Sequence, residues 1–130
     1  MATHVLVVEG DPGLAELVCD TLRDSGFNAE HASTDLDAYR RLTHLPSIDA
    51  LVQDVNLGQA ANGYEIARFA RQVIPEIAVI YVSGTTTALS YRAFAVPDSV
   101  FLEKPFDIDA LVLALRQYFG ATRSACLGIH

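Results

Sequence analysis

Positive charge is scarce in this sequence: nine lysines and arginines stand against sixteen acids, for a net charge of −7 at pH 7. A surface of that sign repels phosphate backbones and anionic lipid headgroups, which excludes direct nucleic-acid binding and attachment to a charged membrane. Cysteine is nearly absent too. Cys19 and Cys126 lie far apart, with no CxxC spacing and no clustered histidines, so neither a disulfide framework nor a zinc site is expected. They read as a helix residue and a tail thiol. His4, His31, His44 and His130 also lack metal-ligand spacing. No apolar run approaches the roughly 20 residues of a membrane-spanning helix. The start, Met1-Ala2-Thr3-His4 before Val5 to Val8, has no basic segment and too short an apolar stretch for a secretion signal. A cytoplasmic location is expected. Repeats, low-complexity tracts and linkers are missing as well, and at 130 residues, 51% of them hydrophobic, a single core in one domain is the default.

What the chain does have is alternation. Val5-Leu6-Val7-Val8 is a continuous apolar run, as in strands buried on both faces of a parallel sheet, and it stops at Glu9-Gly10-Asp11-Pro12. Asp11 as N-cap and Pro12 at the first helical position open a helix through Leu14, Leu17, Val18 and Leu22 that Gly26 ends. Phe27 to Ala32 is a weaker strand. Ser33 is placed to cap a second helix with Leu36, Tyr39 and Leu42 on one face, ending before Pro46. Ile48 to Gln53 forms the third strand. Asn62 and Glu65 resemble a capping pair for a helix that buries Ile66, Phe69, Ala70 and Val73. Ile77 to Val82 is the most apolar strand and ends at Ser83-Gly84. A fourth helix over 85–94, opening on Thr85-Thr86-Thr87, has the poorest propensity of the set. Ser99 to Glu103 is the fifth strand, before Lys104-Pro105. Asp107 caps a last helix with Leu111, Ala114, Leu115 and Tyr118 on its core face, and Gly120 closes it. Residues 121–130 show no periodicity and are expected to fray.

Five strand–helix units with short connections imply a parallel sheet with helices on both faces and right-handed crossovers. Ligands bind such sheets beyond the carboxyl ends of the strands. Glu9 with Asp11, Asp54, Ser83 and Lys104 all stand there. Strand order 2-1-3-4-5 sets the first and third strands side by side at the switch point, gathering Glu9, Asp11 and Asp54 into one crevice. Two carboxylates about 4 Å apart repel by roughly 4 kcal/mol at an effective dielectric near 20, so the cluster needs a cation. Lys104 supplies one charge against three acids, and a hard divalent ion such as Mg²⁺ would complete the balance. Since carboxylates can form acyl phosphates, the chemistry suggested is phosphoryl transfer onto Asp54.

These pieces, Val7-Val8-Glu9 with Asp11, Asp54, Ser83-Gly84 and Phe101-Leu102-Glu103-Lys104-Pro105-Phe106, resemble the receiver domain of two-component response regulators over Val5 to Phe119. The resemblance implies a three-layer, flavodoxin-like (βα)5 doubly wound sheet spanning residues 1–120. It implies a phosphoacceptor at Asp54, supplied by a histidine kinase or phosphotransfer protein, and a domain that is no enzyme beyond its own phosphorylation and dephosphorylation; with the sequence ending soon after the last helix, a stand-alone receiver is expected. Mg²⁺ would be held by Asp54, Asp11, Glu9 and the Asn56 backbone carbonyl. Ser83 would swing to the phosphoryl group, Lys104 would pair with it, and Phe101 would follow as the aromatic switch. The signal would leave through the fourth helix, fifth strand and last helix. A cis bond before Pro105 is implied too. The sequence departs from the family where Gly10 stands in place of the acid that is the direct metal ligand. Weak Mg²⁺ binding and slow or absent phosphorylation are expected from that glycine. The loop from Asp54 to Gly63 is one residue longer than in many receivers, and Gly58 replaces the usual proline.

The competing reading is a phosphorylation-independent binding module. Gly10 favours it, as does apolar surface on the last helix from Val112, Leu113 and Phe119, through which a homodimer could form. A flavin site is disfavoured because Glu9-Gly10-Asp11-Pro12 presents acid where a phosphate cradle is needed. Hydrolase chemistry is weaker still, since Ser83 has no histidine partner in its motif.

Overall fold

The chain is seen in a computed structural model that describes residues 3–44, 48–55, 63–84 and 94–127, with side chains described as far as Phe119. Five strands make one parallel sheet: β1 (His4–Val8), β2 (Asn28–Ala32), β3 (Ala50–Asp54), β4 (Ala78–Gly84) and β5 (Ser99–Lys104). Their order is β2-β1-β3-β4-β5, as expected. The described helices are α1 (Pro12–Asp24), α2 (Asp35–His44), α3 (Gly63–Val73) and α4 (Ile108–Leu127).

Side chains alternate across the strands and so divide the core in two. Val5, Val7, Val52, Ile80 and Val82 face α1 and α4, where Leu22, Leu111 and Leu115 meet them. Leu6, Val8, Leu51, Val79 and Tyr81 face α2 and α3, against Leu42, Ile66 and Ala70. The central strands β1, β3 and β4 are buried on both faces, which is why they read as apolar runs, whereas the edge strands β2 and β5 are partly exposed.

The helix ends follow local chemistry. Asp11 Oδ1 accepts from the Gly13 and Leu14 amides, and Pro12 occupies the first turn, where its missing N–H costs nothing. At the other end Gly26 N–H donates to Arg23 O and Phe27 N–H to Leu22 O, a closure that needs the left-handed backbone Gly26 adopts at φ 98°. The cap of α2 is Thr34 and not Ser33: Thr34 Oγ1 accepts from Asp37 N at 3.1 Å. Thr34→Ala is therefore expected to cost about 1 kcal/mol in urea unfolding, and Ser33→Ala to cost little; equal effects would return the cap to Ser33.

Several expected faces shift. Leu36 is exposed, and α2 buries Ala38 and Leu42. Steps of three residues fall short of a full turn, so positions 36 and 42 lie about 120° apart around the helix. On α3, Tyr64 and Ala67 join Ile66 and Ala70 in the core, whereas Val73 is exposed and the next residue, Ile74, packs there instead. On α4, Val112 is buried and Phe119 packs against the core, which leaves only Leu113 of the three apolar side chains expected outside the core stripe exposed. Gly120 does not close this helix, which continues to Leu127. Residues 85–93 of the expected fourth helix, Asn62 of the expected capping pair and most of the loop after Asp54 lie outside the described residues.

Candidate functional site

Beyond the carboxyl ends of β1, β3 and β5 three charged side chains converge. Glu9 follows β1 and stays buried. Its amide donates to Ala32 O at 3.2 Å, and His31 Nε2 bonds its carbonyl oxygen at 2.8 Å, so that nitrogen carries the proton. Its carboxylate accepts from the Asp11 amide at 3.1 Å. Asp54 closes β3, also buried. Lys104, the sole lysine of the chain, closes β5 and is joined to Pro105 by a cis bond. Its Nζ lies 3.0 Å from Glu9 Oε1 and 3.4 Å from Asp54 Oδ2. One ammonium thus bridges two carboxylates, each of which has a side chain only 7% exposed.

Burial works against the charged form of Lys104, but the hydrogen bond to Glu9 and the charges of Asp54 and Glu9 outweigh it, and its pKa is raised. The bridge is a protonated lysine throughout the physiological range. Asp11 stands apart from the cluster: it is exposed, and Oδ1 is engaged at the helix cap. Gly10 is exposed and brings no side chain. Asn56 lies outside the described residues.

Ser83, near the end of β4, is fully buried, and its hydroxyl has no hydrogen-bond partner among the described residues. Phe101 pairs in register with Tyr81 across β4 and β5, and the two rings stack with centroids 4.9 Å apart. Tyr81 is fully buried, accepts a hydrogen bond from Val96 N at 3.1 Å, and lies 5.0 Å from the Tyr64 ring. Phe101 therefore rests on an aromatic cluster that also involves the segment preceding β5. Arg71 of α3 reinforces that segment by donating to the carbonyls of Pro97 and Asp98 as well as Ile77. Beside Lys104, a cavity of about 350 Å³ is lined by Leu14, Pro105 and Phe106.

Two residues at the site went unnoticed in the sequence. Gln53, fully buried on β3, donates from Nε2 to Asp54 O at 2.8 Å. Gly63, first in α3, sits so close that a Cβ would lie 2.6 Å from Asp54 O and 2.7 Å from Val55 Cα. The available signal was a polar residue inside an apolar strand; nothing local marks Gly63.

The fold is a doubly wound parallel sheet, and its switch point, where such sheets bind ligands, holds an acidic pocket bridged by a lysine. The response regulator receiver domain model matches residues 5–116, and the chain belongs to that family, a family of signalling modules. An NtrX-like response regulator of Rickettsia felis is 29% identical over 121 residues, covering 92% of this chain and 25% of that protein. The chain therefore spans about a quarter of such relatives. The response regulator receiver protein CpdR of Brucella abortus is 28% identical over 110 residues, covering 84% of this chain and 90% of its own length. A receiver protein structure from Sinorhizobium medicae aligns with a TM-score of 0.85 at 33% identity, covering 92% of this chain and 96% of that one. Among the described residues no helix is long and apolar enough to cross a membrane.

Receiver domains typically bind Mg²⁺ in their acidic pocket. The residues placed here do not fit that ion well. Glu9 and Asp54 offer two carboxylates, but the Lys104 ammonium already bridges them, and Asp11 faces its helix. Among the described residues no group of three or more His, Cys, Asp or Glu is arranged to hold a metal. Octahedral Mg²⁺ tolerates such a shortfall poorly.

Proposed function

We propose that this receiver domain accepts a phosphoryl group on Asp54 from a histidine kinase or phosphotransfer protein in the cytoplasm. The observation that carries the reading is the placement of Asp54 at the end of a central strand, 3.4 Å from the only lysine. An Asp54 carboxylate oxygen attacks phosphorus, the P–N bond to the donor imidazole breaks, and the imidazole keeps the electron pair and takes up a proton. Lys104 offsets charge on the transferring group, and the Ser83 hydroxyl, without a partner among the described residues, is available to donate to a phosphoryl oxygen. The apolar cavity of Leu14, Pro105 and Phe106 suits the flank of the incoming donor. The stacked Tyr81–Phe101 pair links the pocket to β5 and to the segment before it, the side from which the signal leaves toward α4.

A second reading, a module whose partner surface stays in one state without phosphate, is favoured by Gly10 and by the engagement of Asp11 at its helix cap. Incubation with acetyl phosphate, with and without Mg²⁺, followed by mass analysis at Asp54, separates the two. Gly10→Asp is expected to tighten Mg²⁺ binding at least about tenfold, the scale on which even outer-shell partners act. Mass gain in the natural sequence supports the switch. Gain only in Gly10→Asp supports the second reading, and gain in neither removes Asp54 as a phosphoacceptor.

A further inference from the structure

Gln53 sits one residue before Asp54, after the apolar run Ala50-Leu51-Val52 of a strand buried on both faces, and it is fully buried. A buried carboxamide costs free energy unless its hydrogen bonds are made. Here only half of it is satisfied. Nε2 donates to Asp54 O at 2.8 Å, and among the described residues Oε1 has no partner. Methionine of similar size would leave no orphaned acceptor, so core packing does not account for glutamine at this position.

The one bond it makes falls on a single peptide plane, the one joining Asp54 to Val55. The oxygen of that plane is held by Gln53 Nε2. Its N–H, on Val55, donates to Val82 O at 3.0 Å. Gly63 closes over the same plane, with room for no Cβ: the added carbon would lie 2.6 Å from the oxygen and 3.1 Å from Gln53 Cγ. Because the peptide unit is rigid, rotation of this plane is the soft motion by which the strand end could re-aim its carboxylate. With both ends of the plane bonded and its face covered, that rotation is stopped.

We propose that Gln53 is a positioning residue whose side-chain amide locks the Asp54–Val55 peptide plane, so that the Asp54 carboxylate meets Lys104 and an incoming group in one orientation. The kinetic part rests on the reading of Asp54 as phosphoacceptor; the structural part does not. Two variants test it. Gln53→Met keeps the volume and removes the donor, and Gln53→Asn keeps an amide that is one methylene too short to reach.

The measurements are thermal midpoint, Val55 amide hydrogen exchange by NMR, and the rate and half-saturation of phosphorylation by acetyl phosphate. Both variants are expected to exchange Val55 at least tenfold faster. The phosphorylation rate constant is expected to fall about tenfold at unchanged half-saturation, as for a modest misplacement of a reacting group. Gln53→Met loses an orphaned acceptor but also the donor to Asp54 O, so its midpoint is expected within about 5 °C of the natural protein's. Unchanged Val55 exchange overturns the proposal whatever the rate, and so does a rate within twofold of the natural sequence. If the natural protein takes no phosphoryl group, the phosphoacceptor reading fails and Val55 exchange alone decides the role of Gln53. Should Gln53→Met not fold, the same outcomes are read from Gln53→Asn.

Discussion

Gly63→Ala is expected to lower the unfolding free energy by about 3 kcal/mol, the upper range for forced overpacking. In a domain of this size that is a fall of the melting midpoint on the order of 10 °C. The new methyl carbon would stand 2.6 Å from Asp54 O and 2.7 Å from Val55 Cα. Both contacts are with backbone, so no rotamer change relieves them. Either α3 backs away from the sheet, opening the core around Ile66, or the end of β3 moves and takes the Asp54 carboxylate with it. Gly13→Ala is the control, because its added carbon would meet only Asp11 Oδ1 at 3.4 Å, an ordinary contact within a helix. That variant is expected to hold or gain a few tenths of a kcal/mol. A Gly63→Ala protein melting within about 2 °C of the natural sequence would refute the close approach.

Lys104→Met is expected to cost about 2 kcal/mol near neutral pH. Removing one partner of a buried ion pair costs about 3–5 kcal/mol, and the 31% exposure of the lysine side chain moves the figure down. Its pH dependence follows from linkage. The folded-state pKa of Lys104 is raised, so its contribution is fully present below the ordinary value of 10.5 and is lost as pH rises through the higher folded value. The stability difference between the two proteins should stay level through neutrality and shrink only above pH 10.5. Burial also pushes the Tyr81 hydroxyl up, which weakens both proteins in alkali and cancels in the comparison. Urea unfolding at a series of pH values measures the difference. Equal midpoints at pH 7 would mean that Glu9 and Asp54 tolerate each other without the ammonium.

The sheet was legible because burial on both faces writes each central strand as an unbroken apolar run, and the convergence of Glu9, Asp54 and Lys104 because three strands stop on them. The helix faces were less so. Leu36, Tyr39 and Leu42 look like a stripe when read in threes, and only the real pitch of the helix separates Leu36 from it. Ser33 and Thr34 are neighbouring cap formers, and the choice between them depends on where the chain leaves β2. Val112 was misplaced for a different reason: the buried face of α4 is wider than a one-residue-in-four stripe, because it packs over the sheet and is tied to the end of α1, where Arg116 donates to Ser25 O. The contact of Gly63 with Asp54 is invisible to periodicity, since it joins the end of one element to the start of the next across a loop. Within the pocket, the sequence identified Asp11 as both helix cap and candidate ligand; the structure puts its Oδ1 at the cap.

That the pocket cation is the only lysine in the chain reaches beyond charge balance. An acylating reagent finds a single side-chain amine, and at physiological pH that amine is protonated, partly shielded and shared by two carboxylates. Acetylation would delete the one positive charge between Glu9 and Asp54 without touching another lysine. The reactivity of that one side-chain amine toward acylating reagents, read at Lys104 itself and apart from the faster α-amine, is thereby a direct gauge of whether the pocket is open or closed.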